Sequence, residues 1–441
     1  MKIHFDRPIG PVRAIHGICQ PPVFNNDCSR FAYLKQAGIP YSRLHDMGTQ
    51  RLYPRVDVPC IFPDFDADEN DPSNYEFPMT DEVVLALVKN GCEPYYHLGP
   101  MIENAVGAGH KPRYIQPPKD FAKWARICEH IIAHYNEGWA NGYHLGLCYW
   151  EIWNEPDFGV PEVNIANQQW TGTPEQFFEL YTVASKHLKA RFGDSIKVGG
   201  YGSCGPHAIL AEPEKYGIPA HLKYVYSDGS YDPRLTYIHR FLEHVVREKA
   251  PLEFFSWHSY NNTERTFYAC RYLRGVLDDY GFTDCELHLN EWNNGFRDQR
   301  GTVIPAGHAA TMLIRMQDAP IDMMMYYDAR FGIGMYAGMF DTTADKPFCL
   351  YYVFKAFNEM VKLGTRVECD PEHEDFYVMA ATDGKRRGIL LTNAGERFLL
   401  RDLPQDYTLY VVDETNEMRE FGPCPDKWSL KQYQTLLLLK E

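Results

Sequence analysis

The sequence predicts an α/β fold in which a TIM-type (β/α)8 barrel is followed by a small accessory β-sandwich. The barrel is predicted because eight short apolar runs, rich in β-forming residues, alternate with longer segments of helical spacing. The sandwich is predicted because closely spaced strands with turn residues between them fill the rest of the chain. The eight predicted barrel strands are Ala14–Cys19, Tyr41–His45, Glu93–Leu98, Cys148–Asn154, Ile196–Gly200, Phe254–His258, Glu286–Asn290 and Ile321–Tyr327.

The segments between these strands carry recognisable helix ends. The clearest helix begins at Thr173, with Pro174 in its first position and Gln176 placed to complete a capping box. Other helices are predicted over Thr80–Asn90 and Pro118–Glu137, the latter with an apolar face of regular helical spacing. Eight strands that alternate with such helices predict a closed barrel.

The pattern changes after Phe348–Leu363, which is the last predicted helix of the barrel. We therefore assign residues 13–363 to the barrel and residues 364–441 to the sandwich, and we expect residues 1–12 to join the sandwich. The strands of the second unit are predicted around Phe376–Met379, Gly388–Leu391, Tyr407–Tyr410 and Thr435–Leu438.

Composition and charge exclude several classes of function. With 44 basic and 59 acidic side chains the formal charge is −15, which disfavours binding to nucleic acid or to anionic membranes. The N-terminus lacks the apolar region of a signal peptide, and the twelve cysteines lie scattered in apolar runs without a Cys-x-x-Cys pair. We expect a cytoplasmic protein with reduced thiols. Whether it forms a homo-oligomer is left open by the sequence.

Two glutamates stand at the carboxyl ends of predicted barrel strands, where reactive groups of such barrels lie. Glu155 follows the fourth strand and Glu291 follows the seventh, and both adjoin aromatic residues. A carboxylate among apolar neighbours is costly unless it has a partner or a chemical task. We interpret the nearby Glu151, in contrast, as a strand residue held in an ion pair.

These residues resemble those of clan A glycoside hydrolases, and specifically the β-xylosidases of glycoside hydrolase family 39. The resemblance covers nearly the whole chain. Its motifs are Trp153-Asn154-Glu155-Pro156, Glu291 three strands later, Pro117-Pro118-Lys119-Asp120, Lys197-Val198-Gly199-Gly200, Ser256-Trp257-His258-Ser259-Tyr260 and Lys346-Pro347.

The resemblance implies a retaining exo-glycosidase that acts by double displacement through a covalent glycosyl-enzyme. Glu155 would be the acid and then the base, and Glu291 the nucleophile. We expect the charge of Glu291 to raise the pKa of Glu155, and Arg43 and Tyr260 to lower the pKa of Glu291. Asn154 would donate a hydrogen bond to the sugar hydroxyl next to the anomeric carbon.

Further substrate contacts are expected from polar and aromatic residues at the barrel mouth. Aromatic rings suit the apolar C–H faces of sugars, and histidines at strand ends can bind hydroxyls. The residues assigned to substrate binding are Asn154, His45, Asp46, His97, His258, Trp292 and Tyr327.

The ends of two strands depart from the family pattern. The third strand ends Tyr96-His97-Leu98-Gly99, where family β-xylosidases tend to place a glutamate, and the eighth ends Tyr326-Tyr327-Asp328, where they tend to place a tryptophan. The leading hypothesis is a β-xylosidase acting on short plant-derived oligosaccharides. An α-L-arabinofuranosidase or arabinobiose-releasing enzyme is the alternative within the family. An inactive carbohydrate-binding barrel is the alternative from another class.

We predict no metal and no cofactor for this reaction. The acidic stretch Asp64–Asp71 has alternating carboxylates, but Glu69 occupies the sixth position, where a calcium loop needs glycine, and Tyr75 occupies the twelfth, where it needs a bidentate carboxylate. A two-carboxylate mechanism requires no ion.

Overall fold

The computed structural model describes residues 1–24, 27–45, 56–99, 115–158, 169–206, 213–222, 233–332, 334–371 and 373–441. After an N-terminal strand, β1 (Lys2–Pro11), eight parallel strands close into a barrel because the first pairs with the last, Cys19 opposite Tyr327. The barrel prediction is therefore confirmed. In order, the barrel strands are β2 (Gly17–Cys19), β3 (Tyr41–Leu44), β4 (Glu93–Leu98), β5 (Tyr149–Ile152), β6 (Lys197–Ser203), β7 (Phe254–Ser259), β8 (Glu286–Trp292) and β9 (Met323–Tyr327).

The helices follow the capping signals of the sequence. Thr173 and Gln176 form the predicted reciprocal capping box, with N···O distances of 2.9 and 3.2 Å. The helix predicted from Pro118 begins instead at Phe121, because the Asp120 side chain caps it. The helices are α1 (Ala32–Gln36), α2 (Val58–Ile61), α3 (Pro78–Lys89), α4 (Phe121–Glu137), α5 (Pro174–Phe192), α6 (Pro233–Glu248), α7 (Thr263–Asp279), α8 (Val303–Arg315) and α9 (Cys349–Leu363).

The strands after β9 are β10 (Phe340–Asp341), β11 (Lys346–Pro347), β12 (Thr365–Asp370), β13 (Phe376–Thr382), β14 (Arg387–Asn393), β15 (Phe398–Leu400), β16 (Thr408–Asp413), β17 (Asn416–Pro423), β18 (Trp428–Leu430) and β19 (Thr435–Lys440). The first two pair with each other in a separate ribbon, and the others build a C-terminal β-sheet unit together with β1. Its main sheet is antiparallel and has seven strands in the order β1-β12-β13-β14-β19-β16-β17. The second layer is a two-stranded ribbon, β15-β18, so the sandwich is more one-sided than expected.

Alternation along the strands divides the side chains of this sheet between two cores. Leu437 packs into the cluster that it shares with the barrel helices, while its neighbours Leu436 and Leu438 pack with Leu430 of the ribbon. One face of the sheet therefore lies against α8 and α9. The division of the chain at residue 363 stays a prediction.

The described ranges contain no helix with both the length and the apolarity that a membrane span requires. Cys19, Cys92 and Cys128 lie as buried thiols within the protein interior. They behave as small apolar residues, as expected.

Candidate active site

The ends of β5 and β8 bring the two predicted glutamates together. One carboxylate oxygen of Glu155, one of Glu291 and a ring nitrogen of His258 all lie within 4.8 Å of one another. The two carboxyl groups of retaining glycosidases stand about 5–5.5 Å apart. The geometry therefore leaves room for one sugar carbon between an acid and a nucleophile.

The backbone curls sharply where β5 ends. Trp153 and Glu155 have φ values of 70° and 46°, in the left-handed region that residues with a Cβ rarely adopt. Backbone hydrogen bonds hold this turn, since the Glu155 N–H donates to the carbonyl oxygen of Gly202 at 3.0 Å and the Trp153 N–H to that of Leu98 at 2.9 Å. Strain of this kind concentrates at functional sites, where the surrounding structure maintains it.

Glu291 faces the barrel interior because β8 contains an extra residue. In the pairing with β7, Trp257 lies opposite Leu289 and His258 lies opposite Glu291, so Asn290 is bulged. The bulge allows the adjacent Asn290 and Glu291 both to contact residues of the barrel interior.

The assignment of Trp292 to substrate binding is wrong. Strand alternation after Glu291 turns its side chain outward, and it is 1% exposed. Its ring lies 5.0 Å from that of Tyr326 and 6.4 Å from that of Phe354 on α9. Trp292 is therefore a core residue between the barrel wall and its helices.

Arg43 on β3 connects three groups of the site. Its guanidinium is fully buried and donates to Glu291 Oε1 at 2.7 Å, to Glu151 Oε2 at 2.6 Å and to Asn154 Oδ1 at 2.6 Å. A planar guanidinium can make these bonds at fixed angles, which a lysine cannot do. Arg43 thus orients both the nucleophile and the asparagine beside the acid.

Glu151 is the functional residue whose importance the sequence analysis missed. Its interpretation as an ion-paired residue is right, but its partner is Arg43 of the site itself. The second oxygen, Oε1, accepts from Ser256 at 2.6 Å and from Asn290 at 2.5 Å. Strand alternation was the available signal, because Tyr149 and Glu151 fall on the same face of β5.

The two glutamates have unequal hydrogen-bond partners. Glu291 accepts from Arg43 and, through Oε2, from the Tyr260 hydroxyl at 2.7 Å. Among the described residues, the hydrogen-bond partner of the Glu155 carboxyl is His258, whose Nδ1 lies 2.6 Å from Oε1. The site therefore stabilises a negative charge on Glu291 more strongly than on Glu155.

Burial raises the pKa of Glu155 to about 7, against the opposing charges of Arg43 and Arg234. Burial also raises the pKa of Glu291, and the charge of Glu155 raises it further. His258, Arg43 and Tyr260 act in the opposite direction. The expected direction for Glu155 is right, but burial is the cause, rather than the charge of Glu291. The donors around Glu291 therefore favour a negative charge there, and the raised pKa of Glu155 favours a proton on that residue.

The three histidines predicted at the mouth all lie at the site and are neutral. Burial lowers the pKa of His45 and His97 well below its usual range, and lowers that of His258 to about 4. The rings of His45 and His97 meet edge to face at 4.7 Å, and Nε2 of His45 lies 3.6 Å from Oε1 of Glu291.

Two further residues predicted to bind substrate are Tyr327 and Asp46. Tyr327 is nearly buried beside Tyr260, at a ring distance of 6.4 Å, and its hydroxyl accepts from Gln20 at 3.2 Å. Asp46 lies outside the described residues.

Gly202 on β6 permits the close approach of these groups. It has a φ of 60°, and a Cβ there would lie 3.0 Å from Asn154 Oδ1 and 3.2 Å from both Arg43 Nη2 and His258 Nε2. Any larger residue would have to displace polar atoms of the site.

Within the described part of the chain, the group with donor atoms spaced for a metal ion is Glu155, His258 and Glu291. The Arg43 guanidinium lies 2.7 Å from Glu291 and repels a cation placed there. The Glu155 carboxyl already has a hydrogen-bond partner in His258, 2.6 Å away.

Comparison with known proteins identifies the family. The sequence model of the Glycosyl hydrolases family 39 matches residues 26–321. The chain belongs to this family. A 136-residue segment of this family 39 chain is 28% identical to a beta-xylosidase of Caldicellulosiruptor saccharolyticus, a match that covers 29% of this chain and only 25% of that relative.

Solved structures share the fold of this family 39 chain over its whole length. A glucosidase from Croceicoccus marinus superimposes with a TM-score of 0.76 at 22% identity, covering 98% of this chain and 96% of that one. A GH39 beta-xylosidase from Caulobacter crescentus gives a TM-score of 0.69 at 15% identity, with coverage of 100% and 99%. These two structures therefore share the overall fold of this chain over nearly their full length.

Proposed function

We propose that this protein is a retaining exo-glycosidase that releases a terminal sugar from short plant-derived oligosaccharides through a covalent glycosyl-enzyme. The observation that carries the proposal is the convergence of Glu155 and Glu291 with unequal donors around them. Membership of a family of glycosyl hydrolases supports it.

In the first step, an ionised Glu291 attacks the anomeric carbon while Glu155 gives its proton to the leaving oxygen. Arg43 and Tyr260 keep Glu291 ionised and aimed, through hydrogen bonds of 2.7 Å each. With a pKa of about 7, Glu155 is protonated at mildly acidic pH and about half protonated at pH 7. The bond to the leaving group breaks as the ester to Glu291 forms.

In the second step, Glu155 removes a proton from water, which attacks the anomeric carbon and releases Glu291. Esterification removes the charge of Glu291, so the positive charge of Arg43 is less compensated and favours an ionised Glu155. Because the Glu155 carboxyl stays buried in both steps, the change in its pKa between them depends on the charge of Arg43.

Buried polar atoms around the pair support sugar binding. Nδ2 of Asn154 and Nδ1 of His45 lack hydrogen-bond partners in the described structure. A buried polar atom without a hydrogen-bond partner destabilises the folded protein, and the hydroxyl groups of a bound sugar can supply the missing partners. The side-chain oxygen of Asn154 accepts a hydrogen bond from Arg43, so its NH2 group is left to donate to the sugar hydroxyl next to the anomeric carbon.

A β-xyloside is the substrate we favour, in accord with the name of the beta-xylosidase relative. An α-L-arabinofuranoside is the alternative, because the third and eighth barrel strands end differently from those of family β-xylosidases, so the walls of the sugar site differ. The intact pair and its supporting residues argue against an inactive binding barrel.

Turnover of a panel of 4-nitrophenyl glycosides tests the proposal. The panel contains the β-D-xylopyranoside, the α-L-arabinofuranoside and the β-D-glucopyranoside, the last because one relative is named a glucosidase. We expect the β-xyloside to be cleaved fastest, with the β-anomer of xylose seen first by NMR, and Glu291→Ala to abolish turnover. If the α-L-arabinofuranoside is cleaved fastest, it replaces the β-xyloside as the proposed substrate. If the β-xyloside gives α-xylose first, the retaining mechanism is overturned.

A further inference from the structure

A run of aromatic rings leads from the nucleophile to the surface of the barrel mouth. Tyr260, which donates to Glu291, stacks on Tyr336 with ring centres 4.5 Å apart and an interplanar angle of 17°. Tyr336 in turn stacks on Phe296 at 6.1 Å and 26°. We call Phe296, Met335 and Tyr336 the rim platform.

The outer part of the rim platform is exposed apolar surface. Phe296 is 58% exposed and Met335 is 65% exposed. Large apolar side chains this exposed gain free energy when a ligand covers them, and their grouping beside a catalytic site indicates a binding surface. Phe296 and Met335 have no part in the two-step reaction proposed above.

The rim platform is preorganised by pairing between two loops. Phe296 follows β8 and Tyr336 follows β9, and the two residues form an antiparallel bridge. The Arg297 N–H donates to the Met335 carbonyl at 3.0 Å, and the Ala337 N–H donates to that of Gly295 at 2.9 Å. A surface held by backbone bonds loses little entropy when it binds a ligand.

The inner end of the rim platform lies close to the reacting groups. Burial together with the charges of Glu291 and Glu155 raises the pKa of the Tyr336 hydroxyl to about 12. Tyr336 also meets the Tyr327 ring edge to face at 5.9 Å. The platform therefore begins beside the site of the attacked sugar and runs outward from it.

We infer that the rim platform binds the apolar ring face of the leaving group, the part of the substrate beyond the sugar that Glu291 attacks. This inference rests on the proposed function. The attacked sugar must lie between Glu155 and Glu291, so the exposed face of Phe296, two ring contacts farther out, is left for the neighbouring ring. Both a second sugar, through its C–H face, and an aryl group offer that chemistry.

The variant Phe296→Ala tests the inference without disturbing the fold. Its side chain is exposed, and the bonds that pair the two loops are made by the backbone. The substrates are 4-nitrophenyl β-D-xylopyranoside, xylobiose and β-D-xylopyranosyl fluoride, whose leaving group has no ring. If the panel identifies another preferred sugar, its three corresponding derivatives replace these substrates.

We expect the ratio of kcat/KM for the ring-bearing substrates to that for the fluoride to fall by about 3- to 12-fold, as aromatic contacts of about 0.6–1.5 kcal/mol predict. Phe296→Leu should recover part of the loss. Phe421→Ala, on the C-terminal sheet and originally 44% exposed, is the matched control and should leave the ratio unchanged.

The inference is overturned if the ratio is unchanged in Phe296→Ala, or if kcat/KM for the fluoride falls as much as that for the ring-bearing substrates. The proposed function stands in both cases. If wild-type protein cleaves none of these glycosides, the proposed function fails and the inference fails with it. A loss for xylobiose alone identifies a sugar as the natural occupant, and a loss for the nitrophenyl substrate alone identifies an aryl group.

Discussion

Replacing Glu155 by glutamine should stabilise the protein at high pH. The carboxyl is 14% exposed and burial raises its pKa from the ordinary 4.5 to about 7. Between these two pH values the folded protein keeps a proton that the unfolded chain has released, so stability falls as pH rises through this range. A neutral amide of the same shape can retain contact with His258 and avoids this loss.

The magnitude follows from the two pKa values. At 1.36 kcal/mol per pKa unit, the difference between 4.5 and about 7 corresponds to about 3 kcal/mol at pH 8 and to less than about 1 kcal/mol at pH 5. An unfolding entropy of about 2.1 cal/mol/K per residue gives about 0.9 kcal/mol/K for 441 residues. The expected rise in Tm is about 3–4 °C at pH 8.

Differential scanning calorimetry of wild type and Glu155→Gln at pH 5 and pH 8 measures the effect. Glu396→Gln is the matched control, because it removes one negative charge from an exposed position and should change Tm little at either pH. Equal Tm values for Glu155→Gln and wild type at pH 8, or a gain of the same size at both pH values, would show that the buried carboxyl of Glu155 does not destabilise the protein at high pH.

Three further predictions concern turnover. The kcat/KM of wild type should decline above about pH 7, as Glu155 loses its proton; a pH profile with an unactivated β-xyloside measures this. Azide should restore turnover of a 4-nitrophenyl glycoside by Glu155→Ala and yield the glycosyl azide of retained configuration, detected by NMR, because the small anion occupies the space of the missing base. Glu151→Gln should lower kcat by about 10- to 100-fold with a smaller change in KM, because Arg43 loses its charged partner and shifts against Glu291; steady-state kinetics checks this split.

Each of these has an outcome that contradicts it. A decline that begins several pH units above 7 would remove Glu155 as the acid. An azide product of inverted configuration would place the anion on the wrong face of the sugar. A Glu151→Gln variant that raises KM alone would show a role in substrate binding instead of positioning, and Ser256→Ala, which removes a neutral donor to Glu151, should cost less than the charge change.

The parts of the fold and site that were predicted from sequence depend on local patterns. Strand runs and helix caps repeat at short range, so the eight barrel strands were found together with the capping box at Thr173. The rule that reactive groups follow barrel strands then selected Glu155 and Glu291, which the structure brings together.

The parts that were missed depend on contacts between distant segments. The bulge at Asn290 decides that Trp292 faces the helices, and only the pairing of β7 with β8 reveals it. The rim platform forms from two loops whose pairing no local pattern predicts. Burial, which raises the Glu155 pKa, likewise depends on the packed barrel.

In the proposed mechanism, Glu291 forms a covalent bond to the sugar and Glu155 acts as acid and then as base. Incubation with an activated 2-deoxy-2-fluoro glycoside of the preferred sugar, followed by mass spectrometry of the intact protein and of its peptides, detects such a bond. We expect one added fluorosugar on the peptide that contains Glu291. Attachment to another residue, or product release without any covalent adduct, would contradict this mechanism.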